Sequence, residues 1–322
     1  MGRINAIITD LETNETMKKL LLITLLIAGT LQSFAQQDPQ YSLYMFNPLG
    51  VNPGYAGSRE VLSAVLVHRS QWIGLEGAPE TQAFAINTPL KNKKMGIGLQ
   101  IINDKIGPKT VQTFTLAYAY RLKLGRGKLA FGLRGGMLNY NYNWAKIEYK
   151  DDDDVIPNTA SESFILPTFD FGIYYNTRTL YAGVAMDHIN KAQFNLLSGQ
   201  DTIDSEARVY SNLTGTFGKA FVVSDNLVIK TSILARFARS GVNLDLNSSI
   251  LFKNKILFGI SLRSTGALVV MTELNLTKNL RMGIAYDLDG SKIAQSSSGS
   301  FEVFVGYDVG LFKSKVVSPR YF

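Results

Sequence analysis

The sequence predicts an all-β protein: a transmembrane antiparallel β-barrel of about 14 strands, entered through an N-terminal lead-in that is not itself a strand. Three observations carry this. Apolar and polar residues alternate with a period of two through segment after segment, as strands with unlike faces require. Hydrophobic residues make up 46% of the chain and charged residues 18%. Yet outside the N-terminus no apolar run reaches the roughly 20 residues a membrane helix needs. The gaps between alternating segments are also long and short in turn, the pattern of an outer-membrane barrel.

The chain has 322 residues, and its parts are expected in this order. Residues 1–35 hold an N-terminal extension and a signal peptide. Residues 1–16 do not resemble an export signal. From Met17 one begins: Lys18 and Lys19, an apolar core from Leu20 to Ala28, and Ser33-Phe34-Ala35 as a small-x-small cleavage site. Either Met17 is the start or the first sixteen residues leave with the signal. Positive and negative residues cancel in this prefix, so the mature chain keeps the whole net charge of +7.

Residues 36–60 form the lead-in, QQDPQYSLYMFNPLGVNPGYAG and its flank. Asn47-Pro48 and Asn52-Pro53 interrupt any ladder, because Pro lacks the donor and fixes φ. Tyr41, Tyr44, Met45, Phe46, Leu49, Val51 and Tyr55 are too apolar for a disordered leader. The segment is therefore expected to dock, in the lumen as a plug or on a partner, from a periplasmic or lumenal position.

Residues 61–311 are the barrel. Strand centres are expected near Val65, Ala85, Leu99, Leu116, Leu133, Phe171, Val184, Thr214, Ile233, Leu246, Ile260, Val270, Ile284 and Val305. In the clearest segment Val242, Leu244, Leu246, Ile250 and Phe252 oppose Asn243, Asp245, Asn247 and Ser249. The long gaps are 73–80, 103–109, 144–163, 190–207 and 289–299. The short ones are 91–93, 125–127, 176–179, 224–226, 253–255 and 277–279. Long gaps belong outside and short turns in the periplasm. Two outer gaps, near Ser240 and Thr265, are short, so one side of the outer rim should be low. Basic residues crowd the short turns and acidic ones the long loops, which would draw an acidic partner to the periplasmic rim. Tyr118, Tyr120, Tyr140, Tyr142, Trp144, Tyr174, Tyr175 and Tyr181 suit interfacial girdles. Residues 312–322 are expected as a periplasmic tail.

Chemistry is sparsely provided for. There is no cysteine, and His68 and His188 are the two histidines, which removes thiol chemistry and leaves little material for a His-based metal centre or a triad. Four adjacent carboxylates at Asp151–Asp154 cannot all turn toward one ion, and no EF-hand spacing follows. Gly96-Ile97-Gly98 precedes no helix, so it reads as strand curvature or close lumenal packing rather than a nucleotide loop. Ser211, Ser232 and Ser261 have no neighbouring base. No catalytic residue, cofactor, metal or nucleic-acid partner is expected.

Three blocks carry a family resemblance: DPQYSLYMFNPLGVNPGYAGS, then HRSQWIGLEGAPETQAFAINTPL from His68 to Leu90, then the closing SPRYF. Together they resemble the PorP/SprF family, outer-membrane barrels of the type IX secretion system in Bacteroidota, over residues 36–322. The resemblance marks Asn47, Pro48, Asn52, Pro53, Tyr55, Ala56 and Gly57 in the first block. It marks Arg69, Gln71, Trp72, Gly77 and Pro79 in the second, and Pro319, Arg320 and Phe322 in the third. Gly54 stands where many members carry Ala. The resemblance implies a non-enzymatic component of the secretion and gliding machinery in the cell outer membrane. It would support export or surface attachment of a large adhesin-like protein and contact periplasmic components as well as membrane lipid. The alternative is a passive channel for small or hydrophobic solutes, since a barrel of this strand number can leave a lumen.

Overall fold

A computed structural model describes residues 38–146, 162–195, 206–290 and 296–311. In chain order its strands are β1 (Leu62–Ser70), β2 (Glu80–Pro89), β3 (Met95–Ile106), β4 (Lys109–Leu124), β5 (Gly127–Tyr142), β6 (Glu162–Asn176), β7 (Leu180–Asp187), β8 (Gln193–Asn195), β9 (Glu206–Arg208), β10 (Asn212–Ser224), β11 (Leu227–Ala238), β12 (Gly241–Phe252), β13 (Ile256–Arg263), β14 (Leu268–Asn275), β15 (Leu280–Leu288) and β16 (Ser300–Val309). Fourteen of them close into one antiparallel barrel, and β8 and β9 form a separate two-stranded ribbon. Closure is by β1 on β16, with Leu62 opposite Val309 through Ser70 opposite Phe301. Each of the fourteen centres read from the sequence falls inside a barrel strand.

Alternation sorts the two faces. Leu116, Leu133, Phe258 and Leu262 point outward and are more than half exposed, whereas Thr115, Arg134 and Ser261 on the same strands, and Glu273 on β14, are buried inside. Apolar side chains cover the outer wall, and lipid is the medium that makes such a surface stable. No helix among the described residues is long and apolar enough to cross a membrane, so the strands do the crossing.

The long connections lie at one end of the barrel, the outer end, and the tight turns at the periplasmic end. One expected outer loop is absent. β3 and β4 stay paired to Ile106 opposite Lys109, leaving only a turn at Gly107-Pro108, where Gly107 takes a positive φ of 54°. Asn103 and Asp104 read as loop because they are polar. They are strand residues whose side chains bond to Gln82 at 2.8 Å and Thr81 at 2.6 Å. The rim is uneven as expected: β4 and β5 have 16 residues each, β13 and β14 only eight.

The aromatic girdle needs correcting. Tyr118 and Tyr120 face outward, but Tyr140, Tyr174 and Tyr181 are buried in the interior. Their place in the alternation puts them on the lumenal face, which nearness to a strand end does not reveal. Tyr140 and Phe164 hold Phe194 of the β8–β9 ribbon at 5.2 and 4.9 Å between ring centroids. The ribbon thereby packs on the inner face of the tall β5–β6 hairpin. The signal segment, Asp151–Asp154 and the closing Pro319, Arg320 and Phe322 lie outside the described residues.

Candidate functional site: a plug in the barrel lumen

The lead-in fills the lumen. It enters at the outer end, where Asp38 meets His188 and Asn212. It leaves at the periplasmic end, where Glu60 pairs with Lys128 at 2.6 Å and Lys93 at 3.8 Å. Between these points its contacts descend the wall. Ser42 and Leu43 sit on Glu302, Tyr44 on Ser232, Asn52 on β6 and β7, and Gly57 on Asn87. Of the two positions open from the sequence, periplasmic and lumenal, the segment occupies the second. Its direction, outside to inside, is what lets β1 start from the periplasmic end.

The Asn-Pro steps explain how a chain without a strand can be buried here. A buried backbone must find partners for its polar groups. The segment does so by coiling on itself. Tyr44–Phe46 is a 3-10 turn, Pro48–Val51 one turn of α-helix and Pro53–Tyr55 a second 3-10 turn. Each Pro opens a helical turn, where its missing N–H costs nothing. Asn52 does three jobs: its Oδ1 accepts from Gly54 N at 2.8 Å, and its Nδ2 donates to Ile173 O at 3.0 Å and Val184 O at 3.2 Å.

Glycines in the wall form the seat. A Cβ at Gly96 would strike Ala56 O, one at Gly132 would strike Gly54 N, and one at Gly172 would strike Asn52 Oδ1. At Gly98 and Gly183 it would come within 2.9 Å of Leu49 and 2.8 Å of Asn52. Glycine is the side chain that allows such backbone approach. The Gly96-Ile97-Gly98 step is thus close lumenal packing. Gly54, the departure from the family pattern, is itself tight, with Tyr174 N 3.2 Å from its ideal Cβ. Aromatic contacts complete the fit: Phe46 stacks on Phe304 at 4.5 Å and Tyr55 meets Tyr174 edge-on at 5.4 Å.

Buried ion pairs within the wall hold the plug through hydrogen bonds. Arg69 donates to Asp287 at 2.8 Å, Glu302 at 3.0 Å and Ser42 Oγ at 2.8 Å, while Arg263 bridges Asp245 and Asp287. Arg134 pairs with Asp170 and Asp187 and also caps the plug carbonyls of Leu49 and Gly50. Arg121 reaches Ala56 O at 2.9 Å. A carboxylate cluster facing guanidiniums satisfies charges that a lumen cannot hydrate freely. At the outer mouth, burial pushes the Asp38 carboxyl up, but the facing His188, together with Arg236 and Asn212, outweighs it and holds the group down at about 2. Burial alone would lower His188; the same pair lifts it to about 9. His188 also meets Thr168 through Nδ1 at 2.9 Å. His68 is apart from this, half-buried on the outer face beside Ser70 and Gln82.

The residues marked by resemblance separate in space. Asn47, Asn52, Pro53, Tyr55, Ala56 and Gly57 are buried in the plug, with Pro48 half-buried beside them. Arg69 belongs to the ionic tie. Gln71, Trp72, Gly77 and Pro79 build the outer β1–β2 loop. There Gln71 N bonds Pro79 O and Ile73 N bonds Gly299 O, while Trp72 Nε1 donates to Asp289 at 3.3 Å. Sequence reasoning missed Ser42, Arg134, Asp170, Asp287 and Glu302 as parts of one site. The available signal was a charge on the polar face of a strand; its partner lies far away in sequence.

The family model of the type IX secretion system membrane protein PorP/SprF matches residues 33–307. The chain belongs to the PorP/SprF family. Among solved structures, the CymD monoaromatic hydrocarbon channel is 9% identical, with 79% of this chain and 88% of that chain covered at a TM-score of 0.51. The Ralstonia pickettii toluene transporter TbuX is 10% identical, with 81% and 92% covered at 0.48. Omp33 of Acinetobacter baumannii is 6% identical, with 77% and 99% covered at 0.46. At these identities the likeness to CymD speaks for the barrel fold alone. No curated protein sequence matches the chain. This PorP/SprF protein is an outer-membrane β-barrel of the type IX secretion type.

Proposed function

We propose that this PorP/SprF barrel is a non-enzymatic component of the secretion and gliding machinery, supporting export or surface attachment of a large adhesin-like protein. The observation that carries this reading is a lumen filled by the chain's own lead-in within a secretion-family barrel. A barrel occupied this way is suited to holding partners at its two faces rather than to passing solute. The exposed lysines of the periplasmic turns, Lys91, Lys94, Lys253 and Lys255, are the surface that would draw an acidic periplasmic component. The signal at 17–35 and a periplasmic tail at 312–322 belong to the same proposal. The passive-channel reading keeps the barrel fold in its favour and has the seated plug against it.

The test replaces those four lysines together by Gln in cells and follows co-purification of the secretion machinery and surface display of its cargo. Both should fall while the barrel stays folded in the outer membrane. Undiminished co-purification and display would overturn the proposal.

A further inference from the structure

Beneath the plug, on the periplasmic side, lies a polar cavity of about 130 Å³. The plug contributes Met45, Phe46 and Arg59, and the wall contributes Lys230, Glu273, Arg281 and Asp308. Its mouth lies at the β14–β15 turn, where Thr277, Lys278 and Asn279 are exposed. Four cations line it against two carboxylates, Glu273 and Asp308.

Arg281 is the telling residue. It is 8% exposed. Its carboxylate neighbours stand off, Asp308 at 3.8 Å from Nε and Glu273 at 4.0 Å from the guanidinium. Its Nε has no hydrogen-bond partner among the described residues. Asp308 Oδ2 pairs more closely with Arg59 of the same cavity, at 2.8 Å. The aromatic floor is electron-rich: Arg281 lies 5.8 Å from the Phe304 ring and Lys230 6.0 Å from the Phe46 ring that stacks on it. A buried guanidinium with an unpartnered Nε–H, beside a cavity of excess positive charge, is built to donate charge-assisted hydrogen bonds to an anion.

We propose that this cavity binds a small oxyanion, a phosphate or carboxylate group delivered from the periplasmic side. Because Phe46 and Arg59 ride on the plug while Arg281 and Lys230 ride on the wall, the bound anion fastens one to the other. The inference does not depend on the secretion role.

The full chain, purified in a nonionic detergent, is titrated calorimetrically with inorganic phosphate, with acetate, and with a short peptide bearing either a free or an amidated C-terminus. Chloride at matched ionic strength is the control. Saturable binding is expected for phosphate, for the free-carboxylate arms, or for both, and the arm that binds more tightly names the source. Arg281→Met should weaken it about tenfold, the worth of one charge-assisted bond. Glu273→Gln keeps the side-chain shape while removing a repelling charge, so it should tighten binding. It serves as the gain-of-affinity variant should Arg281→Met fail to fold. Amide exchange of residues 44–59 should slow on saturation. Responses no larger than those to chloride, or a Glu273→Gln variant that binds no better than the native protein, would overturn the proposal.

Discussion

Replacing Gly132 by Ala tests the seat of the plug at one of its tightest points. The added methyl would be driven into Gly54 N and the Pro53 carbonyl carbon, backbone atoms rather than the end of a flexible side chain. Overpacking of this kind costs about 1–3 kcal/mol. The plug's other course is to withdraw, which breaks the two bonds from Asn52 to the wall, about 2 kcal/mol at roughly 1 kcal/mol each. Both routes converge on about 2 kcal/mol, or about one and a half decades in the opening equilibrium of the plug. Amide exchange of residues 44–57 in the detergent-purified protein reads this directly, with heat-modifiable migration on gels reporting the wall. The expected result is a wall that stays folded and a plug about thirtyfold less protected. Gly215→Ala is the control, since the nearest atom to that Cβ is 4.0 Å away. Equal protection of the plug in the native protein and Gly132→Ala, or an equal loss in Gly215→Ala, would refute the reasoning.

Three further outcomes are expected. Leu133→Arg, mid-strand on the outer face and 61% exposed, should destabilise the barrel in bilayers by about 2–4 kcal/mol. Leu124→Arg, at the periplasmic end of β4, should cost about 0–1 kcal/mol; unfolding titrations in lipid compare them. Arg69→Met leaves Asp287 and Glu302 buried without their shared guanidinium and should cost about 3–5 kcal/mol in a denaturant titration. The Asp38–His188 tie should be pH-dependent with a defined sign. His188 is raised to about 9, so its contribution is complete below its ordinary value of 6.5 and lost as pH climbs through 9. Asp38 is depressed to about 2, so its contribution is complete above 3.8 and lost as pH falls through 2. Exchange of the amides at 38–44 should be slowest between about pH 4 and 6.5 after correction for intrinsic rates, and His188→Gln should remove the alkaline loss.

The wall was legible from the sequence and much of the site was not, for one physical reason. Lipid imposes its demand residue by residue, so Val242, Leu244 and Leu246 announce their face within one strand. The lumen imposes its demand across the barrel. Asp287 and Glu302 could be seen to oppose an apolar face, but that both meet Arg69 and Ser42 depends on closure of β1 on β16. The same holds for Gly132 and Gly172, whose purpose appears only with the plug against them. The Asn-Pro steps and the apolar lead-in pointed to docking, and left its place and direction open. Polar strand residues such as Asn103 and Asp104 passed for loop because their partners, Gln82 and Thr81, lie on another strand.

The filled lumen is tested most directly by planar-bilayer conductance of the native protein beside a variant lacking residues 38–58. A plugged barrel predicts a silent native protein and steady ohmic current once the segment is gone. Steady current through the native protein, unchanged by the deletion, would contradict it.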